Sequence, residues 1–133
     1  MSLRSFPYLG SQVRVHADAA DTNGQFSMLE FEVKAGSEPP MHFHENEDEF
    51  VVVLEGRMEA TVNGTKRIVE AGQSVMFPRR VPHTFKVLTP SMRTMGVITP
   101  AGFEEFFRAL AGDPPPPFEK LAEAAAKYGS RLC

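Results

Sequence analysis

Between Ser11 and Thr99 the chain runs in short stretches of β-branched and aromatic residues, each closed by glycine, asparagine or proline. That rhythm confines it to an all-β sandwich or barrel of many antiparallel strands, because no helical period runs through the stretch. Over Gln25 to Lys34, Leu29, Phe31 and Val33 alternate with Glu30 and Glu32, so one face meets a core and the other meets water. Asn23-Gly24 ahead of it reads as a turn. Met58, Ala60 and Val62 alternate up to Asn63-Gly64, the dipeptide that best tolerates the positive φ angles of a tight hairpin, and a further strand starts at Thr65.

After Thr99 the period changes. Phe103, Phe106, Phe107 and Leu110 recur at helical spacing, with Thr99 placed to cap, Pro100 suited to a first turn and Gly112 as the stop. Pro114 to Pro117 cannot donate backbone hydrogen bonds and read as a semi-rigid strap to a second helix striped by Phe118, Leu121, Ala122, Ala125 and Tyr128. The strap is expected to dock that helix on the barrel or on a second subunit; a proline-rich recognition motif is the alternative. One domain, 1–133, is expected, with a barrel core at about 11–99 and a helical tail at 100–133.

Charged residues make up 23% of the chain and the net charge is -3, so no basic patch points to nucleic acid. No stretch is long and apolar enough for a membrane span, and Met1 to Gly10 lacks the basic start and apolar run of a secretory signal, so the expected compartment is the cytoplasm. Cys133 has no partner in its own chain, which removes disulfides from the account, and is expected to be a frayed terminal residue.

The chemistry is concentrated in one block: Gly36, five residues, His42, Phe43, His44, four residues, Glu49, six residues, Gly56. Residues two apart on a strand share a face, so His42 and His44 can aim inward together while Phe43 points away. Glu49 shares the parity of Val51 and Val53, which carries a carboxylate toward an apolar interior where an uncompensated charge is expensive. A cation supplies the compensation. A second block, Gly72, five residues, Pro78, four residues, His83, opens another apolar strand through Phe85 and Val87 and contributes the third imidazole. Gly36, Gly56 and Gly72 fall at strand ends, so the two blocks read as paired hairpins.

The first block resembles the first signature motif of the cupin superfamily at every fixed position, from Gly36 through His42, His44 and Glu49 to Gly56. The second keeps Gly72, Pro78 and His83 but has Arg80 and Val87 where the family usually places glycine and asparagine. The resemblance covers about Gln25 to Thr99, and the phenylalanine-rich tail is similar to that of single-domain, quercetinase-like cupins. It implies an all-β double-stranded β-helix, or jelly-roll barrel, with two short C-terminal α-helices, and a metal site of His42, His44, Glu49 and His83. If position 80 requires a left-handed backbone, arginine there costs about 1 kcal/mol, to be offset by a side-chain contact near the barrel mouth.

Three imidazoles and a carboxylate suit one divalent transition metal (iron, manganese, nickel, cobalt, copper or zinc) rather than calcium or magnesium. The resemblance further implies a dioxygenase acting on a small enolic or aromatic molecule, with Glu49 as a possible base, a cavity lined by Val51, Val53, Phe85 and Val87, and a homodimer. The alternative is a metal-containing module that binds or senses a small molecule without turnover. Glu45, Glu47 and Asp48 are expected to be solvated loop charges or supports for the histidines; Arg79 and Arg80 are candidates for anion recognition at the rim, with a surface role as the alternative. His16 stands apart from the site.

Overall fold

A computed structural model describes residues 3–133. Met1 and Ser2, part of the stretch read above for a secretory signal, lie outside the described residues. Among the described residues eleven strands and three helices follow in order: β1 (Ser5–Tyr8), β2 (Ser11–Ala17), α1 (Ala19–Thr22), β3 (Ser27–Lys34), β4 (His42–His44), β5 (Asp48–Glu55), β6 (Arg57–Val62), β7 (Thr65–Glu70), β8 (Ser74–Phe77), β9 (His83–Val87), β10 (Ser91–Thr99), α2 (Glu104–Ala109), α3 (Phe118–Tyr128) and β11 (Ser130–Leu132). The strands form two antiparallel sheets, β1-β2-β3-β10-β5-β8 and β11-β4-β9-β6-β7. The all-β reading with a helical tail therefore holds.

Alternation sets which side chains meet. Val51 and Val53 on β5, Met58 and Ala60 on β6, Val69 on β7, Val75 and Phe77 on β8, and Val87 on β9 close a barrel core with Val33 and Met92. A second apolar cluster joins Val13, Val15, Leu29 and Ile98 to Phe103, Phe106, Leu110 and Ala124, which seals the helical tail onto one end of the barrel. The hairpin at Asn63-Gly64 is as expected, with both residues at positive φ, 50° and 81°, the pair that matches strand twist. Gly56 joins β5 to β6 at φ 82°, and a Cβ there would come within 2.7 Å of the Ser91 carbonyl oxygen, so only glycine fits.

Several expectations need correction. α1 was not foreseen: Asp18 caps it in a reciprocal box with Asp21, and Asn23 is its left-handed C-cap rather than a free turn. Thr99 ends β10, and α2 begins only at Glu104. The delay has a physical basis in Glu104, whose buried carboxylate accepts the Gly102 and Ala19 amides, both at 2.8 Å, and so stitches α2 to α1. On α3 the buried side is Leu121, Ala124, Ala125 and Tyr128, while Phe118 stands 68% exposed and Ala122 also faces water. Glu30 keeps its outward parity yet is buried, because Arg14, His16 and Arg93 close over its carboxylate. Cys133 is exposed but not frayed, since its amide donates to the Met41 carbonyl at 3.1 Å.

Candidate metal centre

The first residue of β9 lies directly opposite the first residue of β4, so His83 and His42 are cross-strand neighbours, and His44 follows on the same face. One ligand nitrogen from each of His42, His44 and His83 lies within 4.8 Å of the others. The ring centroids are 4.4 Å apart for His42 and His83, 5.0 Å for His42 and His44, and 5.4 Å for His44 and His83. Aromatic walls fix two of the rings: Phe77 stacks on His83 at 4.4 Å, and Phe103 meets His44 edge-on at 4.5 Å. Phe77 comes from the barrel core and Phe103 from the tail cluster, so the centre sits where the two cores meet.

Backbone carbonyls orient the other ring positions. His42 Nδ1 donates to the Pro40 carbonyl at 2.8 Å and His83 Nδ1 to the Val81 carbonyl at 3.2 Å, which leaves Nε2 of each ring as the free lone pair. His44 Nδ1 is buried with no hydrogen-bond partner. Burial holds all three rings below the ordinary histidine range. For His44, at about 3, the neighbouring His42 and His83 add to it; for His83, at about 4, His42 does. Three neutral imidazoles with one orphaned nitrogen form a donor set that fits a transition metal.

Glu49 lies outside the three-histidine cluster, but its side chain points inward as its parity predicts: a Cβ on Gly96 would meet its Oε2 at 3.7 Å. Gly96 on β10 thus leaves room for the carboxylate. Burial, reinforced by Glu47, pushes the Glu49 carboxyl up to about 7. Of the two expectations for Glu47, a solvated loop charge or a support for the histidines, the solvated one does not hold. Glu47 Oε1 is buried without a partner, and burial lifts its carboxyl to about 7. The signal was available, because Glu47 shares the parity of Glu49 and Val51. Asp48 and Glu45 do behave as rim charges: Asp48 takes the Arg79 amide at 2.8 Å and its guanidinium at 3.0 Å, and Glu45 takes Arg131 at 2.9 Å. Arg79 is thereby tied.

Arg80 adopts the left-handed backbone that its position in the motif foretold, with φ 63°. Its amide donates to the His44 carbonyl at 2.7 Å, so the strained turn braces the ligand strand. Its exposed guanidinium contributes, after Arg131, to holding the Glu45 carboxyl below the usual range. His16 is remote from the centre and pairs with Glu30 at 2.8 Å.

A cupin domain profile matches residues 29–95, which is half of the chain and includes both histidine blocks. The chain belongs to the cupin family. Quercetin 2,3-dioxygenase of Bacillus subtilis (strain 168) is 32% identical over 101 residues, covering 76% of this cupin but only 30% of the relative. This cupin thus spans less than a third of that relative's length. Among solved structures, KdgF from Halomonas sp. superposes with a TM-score of 0.65 at 21% identity, covering 72% of this chain and 84% of the other. The polyketide cyclase RemF from Streptomyces resistomycificus reaches 0.58 at 31% identity, covering 72% and 69%. Structural neighbours that differ so much from one another establish the barrel and leave the reaction open.

Proposed function

We propose that this cupin binds one divalent transition metal through His42, His44, His83 and Glu49 and acts as a dioxygenase-like enzyme on a small enolic or aromatic molecule. The convergence of three neutral imidazoles within 4.8 Å carries the reading, with Glu49 pointing inward from β5 outside that cluster. When bound, the metal would supply a Lewis acid with open positions for oxygen and substrate. The chain's own residues orient and exclude: Phe77 and Phe103 hold two rings and keep water from their faces. Glu49, whose carboxyl burial raises above its ordinary range in the metal-free chain, is the residue assigned to take a proton from an enolic hydroxyl. The relative named quercetin 2,3-dioxygenase supports this substrate class.

A second reading, a metal-containing module that binds or senses a small molecule without turnover, has one observation in its favour. Val51, Val53 and Val87 are packed into the barrel core with Phe85 against them, where an open cavity was expected. Two clefts, of about 260 and 170 Å³, lie away from the histidines, one at Glu32, Glu55 and Arg93 and the other between α2 and α3. Oxygen uptake with flavonols, diketones and catechols, for each metal form in turn, decides between them. Consumption that disappears in His83→Ala supports the enzyme. Saturable ligand binding with no consumption in any metal form supports the module and refutes the enzyme.

The chain is further proposed to pair as a cytoplasmic homodimer through the outer face of the six-stranded sheet. There Met28, Val97, Phe50 and Met76 lie opposite one another across four strands, with Phe50 and Met76 each 43% exposed. Two rows along the same face, past Glu30, Met95 and Val52, the row Glu32, Arg93, Glu55 alternates in charge, as suits a self-complementary contact. Sedimentation should give a dimer that Phe50→Glu splits; a monomeric native chain would refute the pairing.

A further inference from the structure

Two of the three rings ride on a strand that has little of its own to hold it. β4 is three residues long and on its β9 side is held by one residue pair, His42 opposite His83, and by the Arg80 amide on the His44 carbonyl. Its other edge is closed by β11, with Ser130 opposite His44, Arg131 opposite Phe43 and Leu132 opposite His42. Two backbone bonds bracket that ladder. The Glu45 amide donates to the Gly129 carbonyl at 2.9 Å, and the Cys133 amide to the Met41 carbonyl at 3.1 Å. The Arg131 guanidinium then reaches back to both oxygens of Glu45, at 2.9 and 3.3 Å. Gly129, at φ 75°, turns the chain out of α3 so close to the loop that a Cβ would come within 2.9 Å of Asn46 Nδ2.

From this arrangement we infer that residues 129–133 are a clasp that sets the aim of His42 and His44, with Arg131 as a positioning residue. The inference rests on the reading of the histidines as metal ligands. A three-residue strand held on one side by a single pair and one further amide opens locally at little free-energy cost, and metal ligands must be held to within about 0.5 Å of their productive positions. The clasp closes the open edge. It also explains why an otherwise unremarkable run, Gly129 to Cys133, is ordered against the site instead of trailing from the last helix.

Zinc titration of the full-length chain against a chromophoric chelator, with backbone amide exchange of the metal-free protein, tests the clasp. Arg131→Pro removes both the guanidinium and the amide donor opposite Phe43. It should weaken zinc binding by about tenfold, the effect usual for groups that orient ligands, and speed exchange at Phe43 and Glu45 while the β6–β7 hairpin stays protected. Arg131→Ala should lose roughly threefold, in keeping with a surface ion pair, and Arg131→Lys should regain part of it. A merely structural role would lower the melting temperature and leave affinity unchanged, and that result overturns the proposal. Should Arg131→Pro not fold, equal affinities for the native, alanine and lysine chains overturn it as well. His83→Ala leaves the clasp intact and probes the ligand reading separately: retained zinc there refutes the ligands, whereas loss of zinc there with full affinity in the Arg131 variants refutes the clasp alone. A native chain that takes up no zinc overturns both.

Discussion

The β6–β7 hairpin and the histidine corner are built by opposite rules. In the hairpin every local choice agrees with the fold: six residue pairs run without a break from Arg57 opposite Glu70 to Val62 opposite Thr65, and the turn residues suit their φ angles. In the corner nearly every choice works against the apo fold. β4 is short, two carboxyls are forced up to about 7, His44 Nδ1 and Glu47 Oε1 lack partners, and Arg80 occupies a left-handed backbone. Elsewhere the conflicts are scattered singly, as at the unpartnered Ser27 Oγ and at Leu9 with φ 48°, whereas a cluster of them in one place is what a binding site looks like energetically.

If the metal resolves that conflict, adding it should have the largest effect. A free metal concentration a thousandfold above the dissociation constant stabilises by about 4 kcal/mol, a rise in melting temperature of roughly 12–20 °C for a domain of this size. His42→Ala or His83→Ala should abolish the rise, and metal analysis of the untagged protein should fall from near-equimolar to a small fraction. A full rise in either variant would break the contrast.

Glu49→Gln sharpens it in the metal-free protein. The carboxyl titrates near 7 in the fold and at its ordinary 4.5 when unfolded, so the fold loses stability as pH rises from about 4.5 through 7. Glutamine carries no such penalty. The variant should be more stable than the native chain at pH 8, by on the order of 2 kcal/mol, and equal to it near pH 4, while binding metal more weakly. The buried histidines act in the opposite sense: their lowered values make the apo fold lose stability as pH falls below about 6.5, where the unfolded chain takes up protons first. Metal retention should therefore persist somewhat below pH 6 before proton competition releases it. Urea melts across pH check both arms.

Two glycine exchanges give the smallest effects, with opposite signs. Gly64→Ala, at φ 81°, should destabilise the hairpin by about 1 kcal/mol without changing metal affinity. Arg80→Gly should stabilise the metal-free chain by a few tenths to about 1 kcal/mol, because it removes strain that arginine brings to φ 63°. A stabilising alanine at 64 or a destabilising glycine at 80 would show that the two regions do not differ in this way.

The same contrast explains what could be read from the sequence. Alternation and turn chemistry are local, so the strands, the Asn63-Gly64 hairpin, the inward parity of Glu49 and the pairing of His42 with His44 were all legible. The left-handed backbone at Arg80 was legible through the motif, although no side-chain contact offsetting its strain is seen near the mouth beyond the charge felt by Glu45. What escaped depends on distant partners. Nothing around Arg131 announces pairing with Phe43, and nothing around Glu30 announces cover from Arg14, His16 and Arg93. Helix α2 starts late because Glu104 is engaged with Ala19, 85 residues away. How closely Val51, Val53 and Val87 pack in the barrel core is likewise set in three dimensions, since periodicity places them on one face without saying how they meet.

The most direct test of the ligand set is a crystal of the chain purified with its native metal, scanned for anomalous scattering at the metal edge. One strong peak should lie in bonding contact with ring nitrogens of His42, His44 and His83 and a Glu49 oxygen. A peak elsewhere, or one that touches the rings while the Glu49 carboxylate stays out of bonding reach, would contradict the account.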